Sequence, residues 1–182
     1  MSEITFVLGG ARSGKTSFAQ TLAESLKGPK IYLATCLAFD DELKKRVIKH
    51  QNERDSDLWE TIEEPMDFSP YLKNCEKQAI ILLDCLTLWI NNLLYECPNI
   101  SEEDIAEKIK RTFSSLKNFN HLIVVSNEVG LGLVPIEKDA RKYRDILGKA
   151  NQVLAQISKR VIFISCGLPL YLKGSPLGDP EQ

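Results

Sequence analysis

Two glycines, a lysine and a threonine set the first chemical expectation. The stretch Gly9-Gly10-Ala11-Arg12-Ser13-Gly14-Lys15-Thr16 fits the pattern G-x-x-x-x-G-K-[ST] at every fixed position. Glycine lets backbone N–H groups turn inward and approach a polyphosphate without a Cβ in the way. Lys15 adds a point charge at the β and γ phosphates, and Thr16 offers a hydroxyl to Mg²⁺. The positive end of a following helix completes an anion site. Together these residues imply a site for a nucleoside triphosphate.

Two further groups of residues could act on such a ligand. Arg46, His50 and Arg54 recur at four-residue spacing, with Lys44, Lys45 and Lys49 between or beside them. On a helix this puts the three on one face. Cations one turn either way favour the neutral imidazole, the form that attacks phosphorus, and they attract phosphates. On spacing alone the same cluster reads more readily as a solvated helix face. The other group is a carboxylate: Ala79-Ile80-Ile81-Leu82-Leu83 runs apolar and closes on Asp84. A buried parallel strand delivers its last residue to the ligand end of a sheet, where Asp84 would hold Mg²⁺ directly or through water. Asp84 also suits the N-cap of a helix beginning at Leu86. His121, the second of the two histidines, opens an apolar run and reads as structural.

The elements that must position these groups alternate in kind. Ile4 to Leu8 reads as a strand, and Phe18, Leu22 and Leu26 make one apolar face of the helix after it, which Gly28-Pro29 stops. Lys30 to Thr35 is a second strand, so Ala34, Thr35 and Cys36 either line the nucleotide or simply lead into a loop. A charged helix is expected over Asp40 to Arg54, a weak strand from Trp59 to Pro65, and a turn of helix over Asp67 to Lys73. Helices follow over Leu86 to Tyr95 and Glu102 to Leu116, the latter opened by Ser101 and Asp104 in a capping-box arrangement. His121 to Asn127 is a strand that delivers Asn127 and Glu128 to its end, with Gly130 and Gly132 marking the loop beyond. A long helix over Glu137 to Lys159 and a last strand from Arg160 to Cys166 complete the series, and Gly174 to Gln182 reads as a mobile tail. Strands apolar enough for burial on both faces, alternating with helices, predict an α/β fold of three layers around a mostly parallel central sheet.

Composition narrows the function. With 182 residues, the chain suits one domain over residues 1–173. Lys+Arg 23 against Asp+Glu 25 leaves no basic field to draw nucleic acid or an anionic membrane. Five cysteines without a C-x-x-C pair read as reduced thiols. No apolar stretch reaches membrane-spanning length and nothing near Met1 resembles a signal peptide, so the expected location is cytoplasmic.

Four segments together resemble one family. They are GGARSGKT (Gly9 to Thr16), RVIKHQNER (Arg46 to Arg54) with Trp59-x-Thr61-x-Glu63 after it, LDCLTLWINNLL (Leu83 to Leu94), and SNEVGLGLVP with RKYRDILGKANQ within Ser126 to Gln152. The chain resembles the bifunctional adenosylcobinamide kinase and adenosylcobinamide-phosphate guanylyltransferase over about residues 4–173. In place of the proline that often follows the matched arginine, Asp55 stands after Arg54. The resemblance implies a RecA-like P-loop NTPase fold, a homotrimer, and two activities of cobalamin assembly that use GTP and ATP with Mg²⁺. Adenosylcobinamide and its phosphate would be the acceptors, and His50 would carry GMP between GTP and the cobinamide phosphate. Nucleotide contacts map onto Gly9, Gly10, Ala11, Arg12, Ser13, Gly14, Lys15, Thr16, Ala34, Thr35, Cys36, Gln51, Asn52, Glu53, Arg54, Glu63 and Asp84. On the residues alone, a P-loop kinase of another small molecule and a nucleotide-binding module that regulates rather than catalyses stay open.

Overall fold

Period-two alternation in the apolar runs determines how the sheet is covered. In the computed structural model, which describes residues 3–36, 58–114 and 119–177, every apolar run named above that falls within those residues forms a strand. The elements are β1 (Glu3–Gly9), α1 (Lys15–Ser25), β2 (Lys30–Ala34), β3 (Trp59–Glu63), α2 (Ser69–Asn74), β4 (Ile80–Asp84), α3 (Leu86–Glu96), α4 (Glu102–Ser114), β5 (His121–Asn127), α5 (Lys138–Ile157), β6 (Arg160–Ser165) and β7 (Leu168–Lys173). They build one seven-stranded sheet in the order β3-β2-β4-β5-β1-β6-β7, parallel throughout except for β7.

Successive side chains point to opposite faces of a strand. Phe6, Leu8, Leu33, Ile81, Leu83, Leu122 and Val124 pack on one face against residues of α2, α3, α4 and α5, including Leu72, Trp89, Ile105, Ile109, Leu147 and Leu154. Val7, Tyr32, Ile80, Leu82, Ile123, Val125, Ile162 and Ile164 pack on the other against Ala19 and Ala23 of α1, with Phe18, Leu22 and Leu26 at its margin. The result is the expected three-layer α/β architecture. Ser101 and Asp104 start α4 as a reciprocal capping box: the Asp104 N–H donates to Ser101 Oγ at 3.1 Å and the Ser101 N–H to Asp104 Oδ2 at 3.0 Å.

The structure adds a strand. The sheet does not end at Cys166: Cys166 (φ 53°) and Gly167 (φ 78°) turn the chain back, and β7 pairs antiparallel with β6. Positive φ at both central residues suits a two-residue hairpin. The basic helix expected over Asp40 to Arg54 and the final residues of the expected tail lie outside the described residues. Among the described residues, no helix is long and apolar enough to cross a membrane.

Candidate active site

Six parallel strands end side by side where the phosphate loop begins. Gly9 closes β1, and a Cβ there would collide with the Ile164 carbonyl oxygen of β6 and lie 2.7 Å from Ser13 Oγ, so only glycine fits. The loop then folds over itself: the Ser13 N–H donates to the Gly10 carbonyl at 3.2 Å, Arg12 takes φ 57° and Gly14 φ 91°, and α1 starts at Lys15. Lys15 Nζ donates to the Gly10 carbonyl at 3.1 Å, which holds the ammonium over the loop's own backbone. Thr16 lies in the first turn of α1, half-buried. A helix N-terminus behind a glycine-rich loop is the anion-binding arrangement that the sequence pattern predicts.

Neighbouring strands bring the other residues to the same end. In register, Gly9 lies beside Asn127 of β5, Val125 of β5 beside Asp84 of β4, and Asp84 beside Ala34 of β2, with Glu63 of β3 on Ala34's other side. The Tyr32 hydroxyl donates to Asp84 Oδ2 at 2.8 Å and so fixes the carboxylate. Thr35 is fully buried, and its hydroxyl donates to the Cys85 carbonyl at 2.7 Å while accepting the Cys85 N–H at 2.8 Å. Its side chain is therefore committed to joining the end of β2 to the end of β4. Asn92 of α3, 2% exposed, donates through Nδ2 to the carbonyls of Thr35 at 2.9 Å and Pro65 at 3.1 Å, tying together the chain after β2 and after β3. Cys36 is half-buried and Glu63 exposed. Burial, with the Asp84 charge beside it, pushes the Cys85 thiol up to about 12, so it stays protonated and inert.

Asp84 and Thr16 supply oxygen donors, which suit a hard divalent cation. Among the described residues no group of three His, Cys, Asp or Glu side chains could hold a metal by itself. A cation here would take most of its ligands from nucleotide phosphates and water, as Mg²⁺ does when one carboxylate anchors it. His50, Gln51, Asn52, Glu53 and Arg54 lie outside the described residues. Two surface clefts of about 360 Å³ each, one between α4 and α5 and one beside α2, α3 and α4, contain none of the residues named so far as nucleotide contacts.

A polar network behind β5 joins residues of LDCLTLWINNLL, SNEVGLGLVP and RKYRDILGKANQ, three stretches that carry the resemblance. Thr87 Oγ1 of α3 accepts the Asn127 N–H at 2.7 Å and sits 3.3 Å from Ser126 Oγ. Ser126 Oγ in turn donates to Asn151 Oδ1 of α5 at 2.8 Å, and Asn151 Nδ2 donates to the Asn127 carbonyl at 3.1 Å. The signal available in the sequence was three polar residues, Thr87, Ser126 and Asn151, set among the apolar positions that each element buries, each of which needs a partner. One strand position further, the Glu128 N–H donates to the Gly9 carbonyl at 3.1 Å and locks the end of β5 to the start of the phosphate loop.

Residues 5–172 match the family described as Cobinamide kinase / cobinamide phosphate guanyltransferase. The chain belongs to that family. A bifunctional adenosylcobalamin biosynthesis protein, CobP of Pseudomonas aeruginosa, is 39% identical over 173 residues, covering 94% of this chain and 98% of that protein. The corresponding CobU proteins of Escherichia coli and Salmonella typhimurium are each 30% identical, covering 92% of this chain and 98% of theirs. Among solved structures, an ATPase of the type III secretion system of pathogenic bacteria aligns with 93% of this chain and 56% of its own length, with a TM-score of 0.60 at 9% identity. That likeness is one of fold alone. With the family, it places the chain among P-loop nucleotide-binding enzymes built on a mostly parallel sheet.

Proposed function

We propose that this protein carries out both transfers that the family description names, in cobalamin biosynthesis in the cytoplasm, as a homotrimer. The observation that carries this reading is a complete phosphate loop separated from the Asp84 strand by β5 alone, at the same end of the sheet, in a chain whose family match extends through the His50 segment. In the first transfer the γ-phosphoryl group of ATP or GTP passes to the aminopropanol hydroxyl of adenosylcobinamide. The protein's part is positioning and charge neutralisation, by loop N–H groups and Lys15. Mg²⁺, held by Thr16 and Asp84 with the nucleotide phosphates, would supply further neutralisation of the phosphate charge.

The second transfer has two halves. An imidazole nitrogen of His50 attacks the α-phosphorus of GTP, the N–P bond forms, the α,β-bridging P–O bond breaks and pyrophosphate leaves with the electron pair. The ring proton goes to solvent. An oxygen of adenosylcobinamide phosphate then attacks the same phosphorus, the N–P bond breaks with its electron pair returning to the His50 nitrogen, the ring regains its proton from solvent, and adenosylcobinamide-GDP results. Splitting one transfer into two easier ones is the use of covalent catalysis. Arg46, Lys49 and Arg54 stand close in sequence to His50, where cations stabilise departing phosphate charge. Gln51, Asn52, Glu53, Arg54 and Glu63 are proposed nucleotide contacts on the strength of the resemblance.

The test is the intact mass of the protein after incubation with Mg²⁺ and GTP, beside His50→Ala and Lys15→Ala. A gain of one GMP, removed by acid and absent from His50→Ala, is the expected result. Lys15→Ala should lower both activities about 10²–10³-fold. No adduct in protein shown to bind GTP would leave a simple kinase.

A further inference from the structure

We propose that the side-chain carbonyl of Asn127 accepts the hydrogen bond of the acceptor's hydroxyl during phosphoryl transfer and so aims that oxygen at the γ-phosphorus. The proposal rests on the kinase half of the reading above. β5 lies between the strand that leads into the phosphate loop and the strand that ends in Asp84. Val7, Leu82 and Val125 all face α1, so strand alternation puts Gly9, Asp84 and Asn127, each two residues further on, on that same side at the ligand end of the sheet.

Asn127 is held in an unusual way for a residue at a strand end. Its N–H is taken by Thr87 and its carbonyl by Asn151, so the main chain is fixed from both sides. Its side-chain Oδ1, in contrast, is buried with no hydrogen-bond partner. A buried acceptor without a donor is costly and calls for a specific explanation. Phosphate oxygens do not supply it, because they are acceptors themselves. A hydroxyl does, and the kinase reaction brings one to this end of the sheet.

In the step itself, the acceptor oxygen forms a bond to the γ-phosphorus as the β,γ-bridging P–O bond breaks, and the nucleoside diphosphate leaves with the electron pair. The hydroxyl proton passes to an oxygen of the transferred phosphoryl group as the transfer completes. An amide is too weak a base to take that proton. Its role is to hold the hydroxyl so that a lone pair faces phosphorus, and in a loose transition state positioning of this kind carries much of the rate.

The test compares wild type with Asn127→Leu, which keeps the shape without the acceptor, and Asn127→Asp, which keeps an acceptor oxygen. Cobinamide phosphorylation is measured with both substrates varied, and nucleotide affinity separately with a fluorescent analogue. Asn127→Leu should bind nucleotide within about threefold of wild type while kcat falls about 10²-fold and KM for cobinamide rises. Asn127→Asp should turn over about tenfold faster than Asn127→Leu. If the leucine variant misfolds, Asn127→Ala makes the same comparison. A leucine variant as active as wild type would overturn the role of Asn127 alone. An aspartate variant slower than leucine, with nucleotide affinity lost, would mean that the amide meets phosphate instead and would equally overturn it. Wild-type protein that binds nucleotide but does not phosphorylate cobinamide would overturn this inference and the kinase reading together.

Discussion

His121 and Asn127 bound the same strand and illustrate how differently two polar residues can be treated. His121, 4% exposed, sits 2.8 Å through Nε2 from Thr5 Oγ1. Burial lowers its pKa to about 4, helped by Arg160 and Lys159 and opposed by Glu3. The Glu3 carboxylate is itself held below its usual range: burial opposes this, but hydrogen bonds from Lys159 (2.8 Å) and Arg160 (2.6 Å) outweigh it. A histidine with a depressed folded pKa contributes stability above its unfolded pKa near 6.5 and loses it as pH falls toward 4, over which about 3 kcal/mol is at stake. Chemical denaturation across pH 7 to 4 should show this loss. His121→Gln, which can still meet Thr5 but does not titrate, should flatten that part of the profile, and an unchanged profile would assign the loss to carboxylates such as Glu3. At this scale motif residues were legible because their spacing is local: Gly9 to Thr16 is one short stretch, and Asp84 ends an apolar run. The clamp between Thr35 and Cys85 was not, because it joins residues fifty positions apart, and only strand register brings them together.

Elements were legible where burial is two-sided. β1, β2, β4, β5 and β6 read as continuous apolar runs because helices cover both faces of the sheet. β7 was missed for the opposite reason: Leu168 to Lys173 carries a proline, is exposed along most of its length, and turns from β6 on Cys166-Gly167, where the first residue is not one of the usual turn formers. The junction of β1 with the phosphate loop makes a sharp element-scale prediction. Gly9→Ala drives a methyl group into the Ile164 carbonyl of the adjacent strand, whereas a Cβ at Gly10 meets nothing within 4 Å. Denaturant unfolding should show a loss of about 1–3 kcal/mol for the first and less than about 0.5 kcal/mol for the second. Equal losses would mean that the loop, not the sheet, sets the requirement for glycine.

At the scale of the whole molecule, β7 is one of the two edge strands that the sheet has among the described residues, the other being β3. β7 pairs with β6 on one side only, and Leu168, Leu170 and Leu172 are 71%, 59% and 58% exposed along it. Open strand edges carrying apolar side chains associate unless charge or cover prevents it. For the proposed homotrimer, Leu170→Lys is expected to shift sedimentation toward a smaller species. Unchanged sedimentation would put the copy contacts on another face.

The turn that creates this edge also reaches inward. The Gly167 N–H donates to the Ser13 carbonyl at 2.8 Å, and a Cβ at Gly14 would come within 3.3 Å of the Gly167 Cα. Part of the wall of the phosphate loop is therefore the tip of the outermost hairpin. Contacts that fix the hairpin from outside would therefore act, through this hydrogen bond, on the backbone at Ser13. Thermodynamic reciprocity requires the ligand to favour the outer contact by the same free energy. Catalytic occupancy and assembly at this edge would then be one coupled equilibrium, with a single hydrogen bond as part of the connection.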